Sequence, residues 1–287
     1  MKKRPKFTPD PQELLNKFEE LKNAKLTITG HGYSKYNNPN LTIEEATQMA
    51  LEDYKNEGVS NPALGLLSVV LAANRSYEII VVPRLKQIKE NKPDMNSFSD
   101  LSAWISEDDE NFLDIYNDKK KLQTLKDLLL KIDDIKRDNP EIINDYDLMK
   151  KWAIGAIVQN YKEDVIGSIT NIGIATFQHL RMVFGANTVK PDLRVKQVLE
   201  YEFNFPPKDD LEAILVVENI AHILNREVLY VDQIFVKYGS SYYYEESKMP
   251  TVKEIAKKLI KCGVQDDIIL EATGLSALTL RKLKSNN

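Results

Sequence analysis

Residues 164–200, DVIGSITNIGIATFQHLRMVFGANTVKPDLRVKQVLE, decide how the rest of this chain is read. The apolar spacing predicts a helix that ends near Thr170, a tight Asn171-Ile172-Gly173-Ile174 turn, and a second helix from Ala175 to Phe184. Gly173 is expected to supply a backbone conformation that a Cβ resists, and Asn171 tolerates the left-handed region. Ile169, Ile172 and Ile174 are placed to anchor the turn in the core. A hairpin of this kind, spanning 164–184, aims several backbone N–H groups at the start of its second helix, around Ala175 and Thr176, toward one point. That geometry suits a phosphate of DNA. A second turn follows at 189–195, where Lys190-Pro191-Asp192-Leu193-Arg194-Val195 opens another helix and Asp192 is well placed to cap it. Taken alone, each turn also fits an ordinary helix–helix connection.

On either side the chain reads as helices. In DPQELLNKFEELKNA (10–24), Leu14, Leu15, Phe18 and Leu21 recur at helical spacing, Asp10 is an N-cap and Pro11 takes the first helical position. KLTITGHGYSKYNNPN (25–40) changes to β-formers and turn residues, as expected of a short strand or an ordered loop. Thr42 caps a further helix that Gly58 is expected to stop. From Asn61 to Glu90 a buried helix, a break near Ala73–Ser76 and a second helix follow, with Pro83 marking a kink or a new start. Short amphipathic helices continue to about residue 160, at 210–226 and 228–238, and in a three-helix tail. The expected fold class is all-α.

Composition narrows the chemistry. A chain of 287 residues, 43% hydrophobic and 29% charged, can bury a sizeable core. No apolar run approaches a membrane span, and MKKRPKFTPD lacks the apolar stretch of a signal peptide, so a cytoplasmic protein with no membrane partner is expected. One cysteine, Cys262, and three separated histidines, His31, His179 and His222, argue against an internal disulfide, a cysteine-ligated cluster or a histidine-rich metal site. Neither metal nor cofactor is expected. The formal charge of −4 is unevenly spread. Residues 101–150 hold 13 acidic and 8 basic side chains, whereas 165–199 carry Arg181, Lys190, Arg194 and Lys196 against Asp192 alone. Basic segments late in an acidic chain are compatible with a local nucleic-acid surface, and equally with solvated helix faces.

The hairpin and the acid that follows it resemble the helix-hairpin-helix superfamily of DNA glycosylases. In that family the hairpin clamps the DNA backbone beside the damaged nucleotide, and an aspartate at about this distance is catalytic. The resemblance implies that Asp192 is the catalytic acid and that Asn171, Gly173, Ala175 and Thr176 face phosphate. Leu71-Ala72-Ala73-Asn74-Arg75-Ser76 resembles the segment that fills the gap left by a flipped base, which implies DNA contacts for Asn74 and Arg75. Val231-Asp232-Gln233-Ile234-Phe235-Val236-Lys237-Tyr238-Gly239 resembles the late helix of the glycosylase domain. Arg181, Lys190 and Arg194 are the basic residues expected to meet DNA. Two departures stand out. Bifunctional members carry a lysine nucleophile where this chain has Ala175, and the first hairpin glycine is Asn171.

The resemblance therefore implies a two-lobed glycosylase domain over 1–245, acting on double-stranded DNA with a damaged or modified base. It is expected to release the base and leave the abasic strand uncut. A defence enzyme acting on hypermodified phage bases, an inactive DNA-binding relative and a helical interaction scaffold are the rival readings. The tail, 246–287, has the spacing of a helix-turn-helix in Ile269, Ala272, Gly274, Ser276, Thr279, Leu280 and Leu283, a pattern that also fits a plain three-helix cap. Tyr242-Tyr243-Tyr244 and His31 are loop aromatics read first as packing residues, and Trp104 and Trp152 as core.

Overall fold

The computed structural model describes residues 7–27, 41–75, 77–107 and 109–243, and in the last segment 256, 259–260, 265–273, 275 and 277–285. His31, Ser76, Tyr244 and Cys262 lie outside the described residues. The chain divides into two compact units, Met1–Ser241 and Tyr242–Asn287. Among the described residues the secondary structure is helical, and the one extended pairing is an isolated antiparallel bridge between Lys25 and Thr42. None of the described helices is long and apolar enough to cross a membrane.

Helix α1 (Pro11–Asn23) starts where the sequence says it should. Asp10 accepts from the N–H groups of Gln12 and Glu13, and Leu14, Phe18 and Leu21 are buried. In α2 (Ile43–Ser60) Thr42 and Glu45 cap each other: Glu45 N–H donates to Thr42 Oγ1 at 3.1 Å and Thr42 N–H to Glu45 Oε2 at 2.7 Å. Gly58 does not stop this helix, which runs on to Ser60. Its missing side chain serves packing instead, because a Cβ there would lie 2.6 Å from the Val183 carbonyl oxygen. The true break is Asn61, whose side chain caps α3 (Pro62–Ala72).

Helix α3 is buried along nearly its whole length. After the Ala73–Arg75 turn the chain winds a π-helical turn, Tyr77–Val81, into α4 (Val82–Asn91). Pro83 lies in the first turn of α4, so it opens that helix, and its lack of an N–H suits the wide turn before it. Then come α5 (Phe98–Glu107), α6 (Asp109–Ile115), α7 (Lys119–Asp138) and α8 (Asp145–Gly155). Helix α9 (Ile174–Val183) packs on α2, α3 and α8. A single apolar cluster from Ala63 to Ala186 fills the space between these helices, with Leu66, Leu67, Phe112, Leu125, Phe177 and Phe184 among its members.

Helices α10 (Leu193–Phe203), α11 (Asp210–Ile223) and α12 (Val228–Tyr242) follow. Aromatic contacts join α12 to the N-terminal helix, where Phe18 meets Tyr230 and Phe235 at 6.0 and 6.4 Å, and α10 to α12, where Phe203 meets Phe235 at 5.4 Å. In the second unit, α13 (Asp266–Thr273) and α14 (Ala277–Ser285) bury Ile269 and Leu280 with Ala256.

Candidate functional site

The first arm of the hairpin is not a helix. Residues 161–171 form successive turns, and a regular helix begins only at Ile174. The cause is Asp164. Its Oδ1 accepts the N–H groups of Ile166 and Gly167 at 2.8 and 3.2 Å, while its carboxylate also accepts the Trp152 indole N–H at 3.1 Å. A carboxylate that captures these donors competes with helical pairing. Gly167 tightens the turn further, since a Cβ there would fall 1.7 Å from the Tyr161 carbonyl oxygen.

The roles expected of the two turn residues are also redistributed. Asn171 has φ of 70°, so the left-handed position is its own. Gly173 is extended, at φ −88° and ψ 171°, and nothing lies within 4 Å of a Cβ built on it. No constraint inside the fold requires a glycine there. Gly173 is instead the exposed N-cap of α9 with no side-chain cap, which leaves the N–H groups of Ile174, Ala175 and Thr176 without an intrahelical partner. Lys162, not singled out in the sequence, stands beside this end and donates to the Ile172 carbonyl at 3.3 Å.

Helix α7 ties the hairpin to the Asn74–Arg75 turn. Asn171 Nδ2 donates to Thr124 Oγ1 at 3.3 Å. One turn earlier, Lys121 Nζ donates to the carbonyls of Val70 and Ala73, both at 2.7 Å, closing the C-terminus of α3. Asp118, the N-cap of α7, pairs with Arg75 at 3.4 Å. Asn74 is exposed with φ of 57°, and Arg75 is exposed beside it. Burial lowers the Lys121 ammonium to about 8, against a smaller opposing pull from Asp118.

Asp192 is the N-cap of α10. Its Oδ1 accepts from Arg194 N–H at 2.9 Å and Val195 N–H at 3.1 Å, and its side chain is half-exposed. Oδ2 makes no hydrogen bond to the described residues, so one oxygen is locked and the other is open. The turn before it is held from within: Gln178 Nε2 donates to Thr188 Oγ1 at 2.7 Å and to the Val189 carbonyl at 3.1 Å. Asp232, buried on α12, accepts the Lys190 N–H at 3.0 Å. Burial, then the charge of Asp192, raises Asp232 to about 8. His179 lies buried behind the turn, and burial followed by the charge of Lys190 holds it well below its ordinary value.

The basic residues named in the sequence divide. Lys190 is half-buried in the turn itself. Arg194 packs where α10 crosses α12, its NH1 donating to Gln197 at 2.9 Å, and a Cβ on Gly239 would lie 3.0 Å from its own Cβ. Arg181 is committed inward: Nε donates to the Ala153 carbonyl at 2.9 Å and NH1 to Gln178 Oε1 at 2.7 Å. Burial lowers this guanidinium and raises the nearby Glu218 carboxyl, each partly countered by the other's charge. Among the described residues no group of three or more His, Cys, Asp or Glu side chains is placed to hold a metal ion. Asp232 was the principal residue missed, although its position between Val231 and the apolar Ile234-Phe235 pair is a signal that an acid sits on a buried face. Compared with known proteins, the chain matches no family model, no curated protein and no solved structure.

Proposed function

We propose that this chain is a monofunctional DNA glycosylase of helix-hairpin-helix type, with Asp192 as the catalytic acid. The observation that carries the reading is the half-locked carboxylate of Asp192: one oxygen caps α10, and the other is open at the end of a turn held rigid by buried polar groups. A carboxylate with one free oxygen can do what base release requires. A base in a duplex must first leave the stack. As the N-glycosidic bond breaks, its electron pair departs with the base and positive charge builds on the deoxyribose. The free oxygen of Asp192 stabilises that charge and orients a water, which adds to C1′ and gives up a proton to the carboxylate.

The uncapped N–H groups of α9 support the phosphate end of this reading, with Lys162 adding positive charge beside them. Asn74 and Arg75, on an exposed turn fastened to the same helix that fastens the hairpin, are the residues proposed to fill the gap left by the flipped base. Arg181 takes no part in DNA contact in this reading, because its guanidinium holds α8 to α9. A helical scaffold would need neither the open carboxylate nor the buried acid behind it.

The test is Asp192→Asn on a panel of DNAs carrying damaged and modified bases, with alkaline cleavage to reveal abasic sites. The expected outcome is loss of base release with DNA affinity within a few-fold of the parent. Full activity of the asparagine variant, on any substrate the parent cleaves, overturns the assignment.

A further inference from the structure

Asp232 is the one fully buried acid among the described residues, and its partners all belong to the turn that carries Asp192 or to its own helix. Its Oδ1 accepts the Lys190 N–H at 3.0 Å. The Lys190 carbonyl in turn accepts the Asp192 N–H at 2.7 Å. Its Oδ2 lies 2.8 Å from the Gln233 amide. A side chain that holds the N–H of Lys190, the residue whose carbonyl holds the Asp192 N–H, controls where that acid stands. We propose that Asp232 is the positioning residue of Asp192, acting through the backbone of Lys190, and that the two carboxyls carry one negative charge between them. The inference rests on the reading of Asp192 as the catalytic acid.

The charge assignment follows from what surrounds the pair. Asp192 and Lys190 face Asp232 from the turn, His179 lies behind Lys190 on α9, and Gln233 is the polar neighbour on α12 itself. A second negative charge with no exposed surface, beside an existing one, has no ion pair to offset its lost hydration. Burial and Asp192 together outweigh the Lys190 and Gln233 hydrogen bonds, which is why Asp232 titrates near 8. Both oxygens of Asp232 accept hydrogen bonds, Oδ1 from the Lys190 N–H and Oδ2 from Gln233 Nε2. The neutral carboxyl still accepts the Lys190 N–H. It thereby orients the turn without placing a second charge in the core.

The experiment compares Asp232→Asn, which keeps an acceptor for the Lys190 N–H and cannot ionise, with Asp232→Leu, which offers that N–H no acceptor. Melting temperatures of parent and asparagine variant are measured from pH 4 to 9. The unfolded carboxyl ionises at its ordinary value and the folded one only near 8, so the parent loses stability relative to the variant across that interval. A difference that does not change with pH overturns the single-charge assignment. In parallel, carbon-13 carboxyl shifts follow the titration of Asp232 in the parent and in Asp192→Asn. The midpoint is expected to fall when the neighbouring charge is removed, and an unmoved midpoint overturns the coupling.

On a substrate that the parent cleaves, the asparagine variant should stay within about threefold in kcat. The leucine variant should lose about 100-fold in kcat with KM little changed, the scale of a misplaced reacting group. Equal losses in the two variants overturn the positioning role. If the leucine variant does not fold, Asp232→Ser, which shortens the side chain away from the Lys190 N–H, takes its place. A parent that releases no base from any DNA removes the glycosylase reading, while the melting and carbon-13 measurements still decide the state of Asp232.

Discussion

Gly58 and Gly65 pack against each other across α2 and α3: a Cβ built on Gly65 would lie 3.1 Å from the Gly58 Cα. The same Gly58 sits under the Val183 carbonyl of α9, so three helices meet where two side chains are missing. Gly58→Ala would force a methyl to within 2.6 Å of backbone oxygen, which no rotamer change can relieve. A loss of about 1–3 kcal/mol is expected, despite the gain in helix propensity that alanine normally brings. Chemical denaturation measures it, and a variant as stable as the parent would show that α9 moves aside freely.

Gly173 makes the opposite case. Its backbone is open to any residue, and no atom lies within 4 Å of the added Cβ. Gly173→Val should therefore fold normally by circular dichroism, at a cost of about 1 kcal/mol for a poorer N-cap. What it should lose is DNA affinity, by a similar factor on every sequence, because the bulk stands where a phosphate would approach the α9 N–H groups. Unchanged affinity in the folded variant would count against a phosphate at this point.

Lys121 gives a pH signature. The ammonium is lowered to about 8 in the fold, against its ordinary value of 10.5 in the unfolded chain. Between those values the unfolded state binds more proton, so this group makes the protein more stable as pH rises from 8 toward 10.5, and its contribution is lost as pH falls through 8. Lys121→Met should abolish that rise. It should also cost about 1–3 kcal/mol at neutral pH, since the Val70 and Ala73 carbonyls lose their donor. Melting curves of the pair at several pH values read both effects, and parallel curves would refute the first.

The residue absent from the hairpin yields a prediction about products. Under the proposed glycosylase reading, Ala175, in the first turn of α9, offers only a methyl group where strand-cleaving helix-hairpin-helix glycosylases carry an amine. Borohydride should trap no covalent adduct between protein and DNA, and abasic product should stay uncut until alkali is added. A trapped adduct that vanishes in Lys190→Ala or Lys162→Ala would identify an amine that had taken over the role.

What the sequence disclosed was local. Asp10, Thr42 and Asp192 act as caps because a short polar side chain before an apolar helical pattern has one good use. The apolar spacing up to Thr170 suggested a helix with Ile169 and Ile172 anchored in the core, and both residues are indeed buried. The backbone is not helical because Asp164 and Gly167 answer to Trp152 and Tyr161, partners that no window of sequence reveals. Gly58 was misread for the same reason: a glycine near a helix end and a glycine under a neighbouring carbonyl look alike until the neighbour is known. Asp232 had a visible signal, a charge beside an apolar pattern, whereas Lys121 is the third of three consecutive lysines and looked like its neighbours; what each one holds is set by distant segments.

Helix α7 fixes two surface turns by its first two windings, Asn171 through Thr124 and the Ala73–Arg75 turn through Lys121 and Asp118. The separation of those turns is set before anything binds. A ligand long enough to touch both meets a gauge already cut to length, and spends none of its binding free energy on freezing either loop. Loosening one fastening should therefore show up as a faster off-rate for ligands that span both turns, and leave shorter ones unaffected.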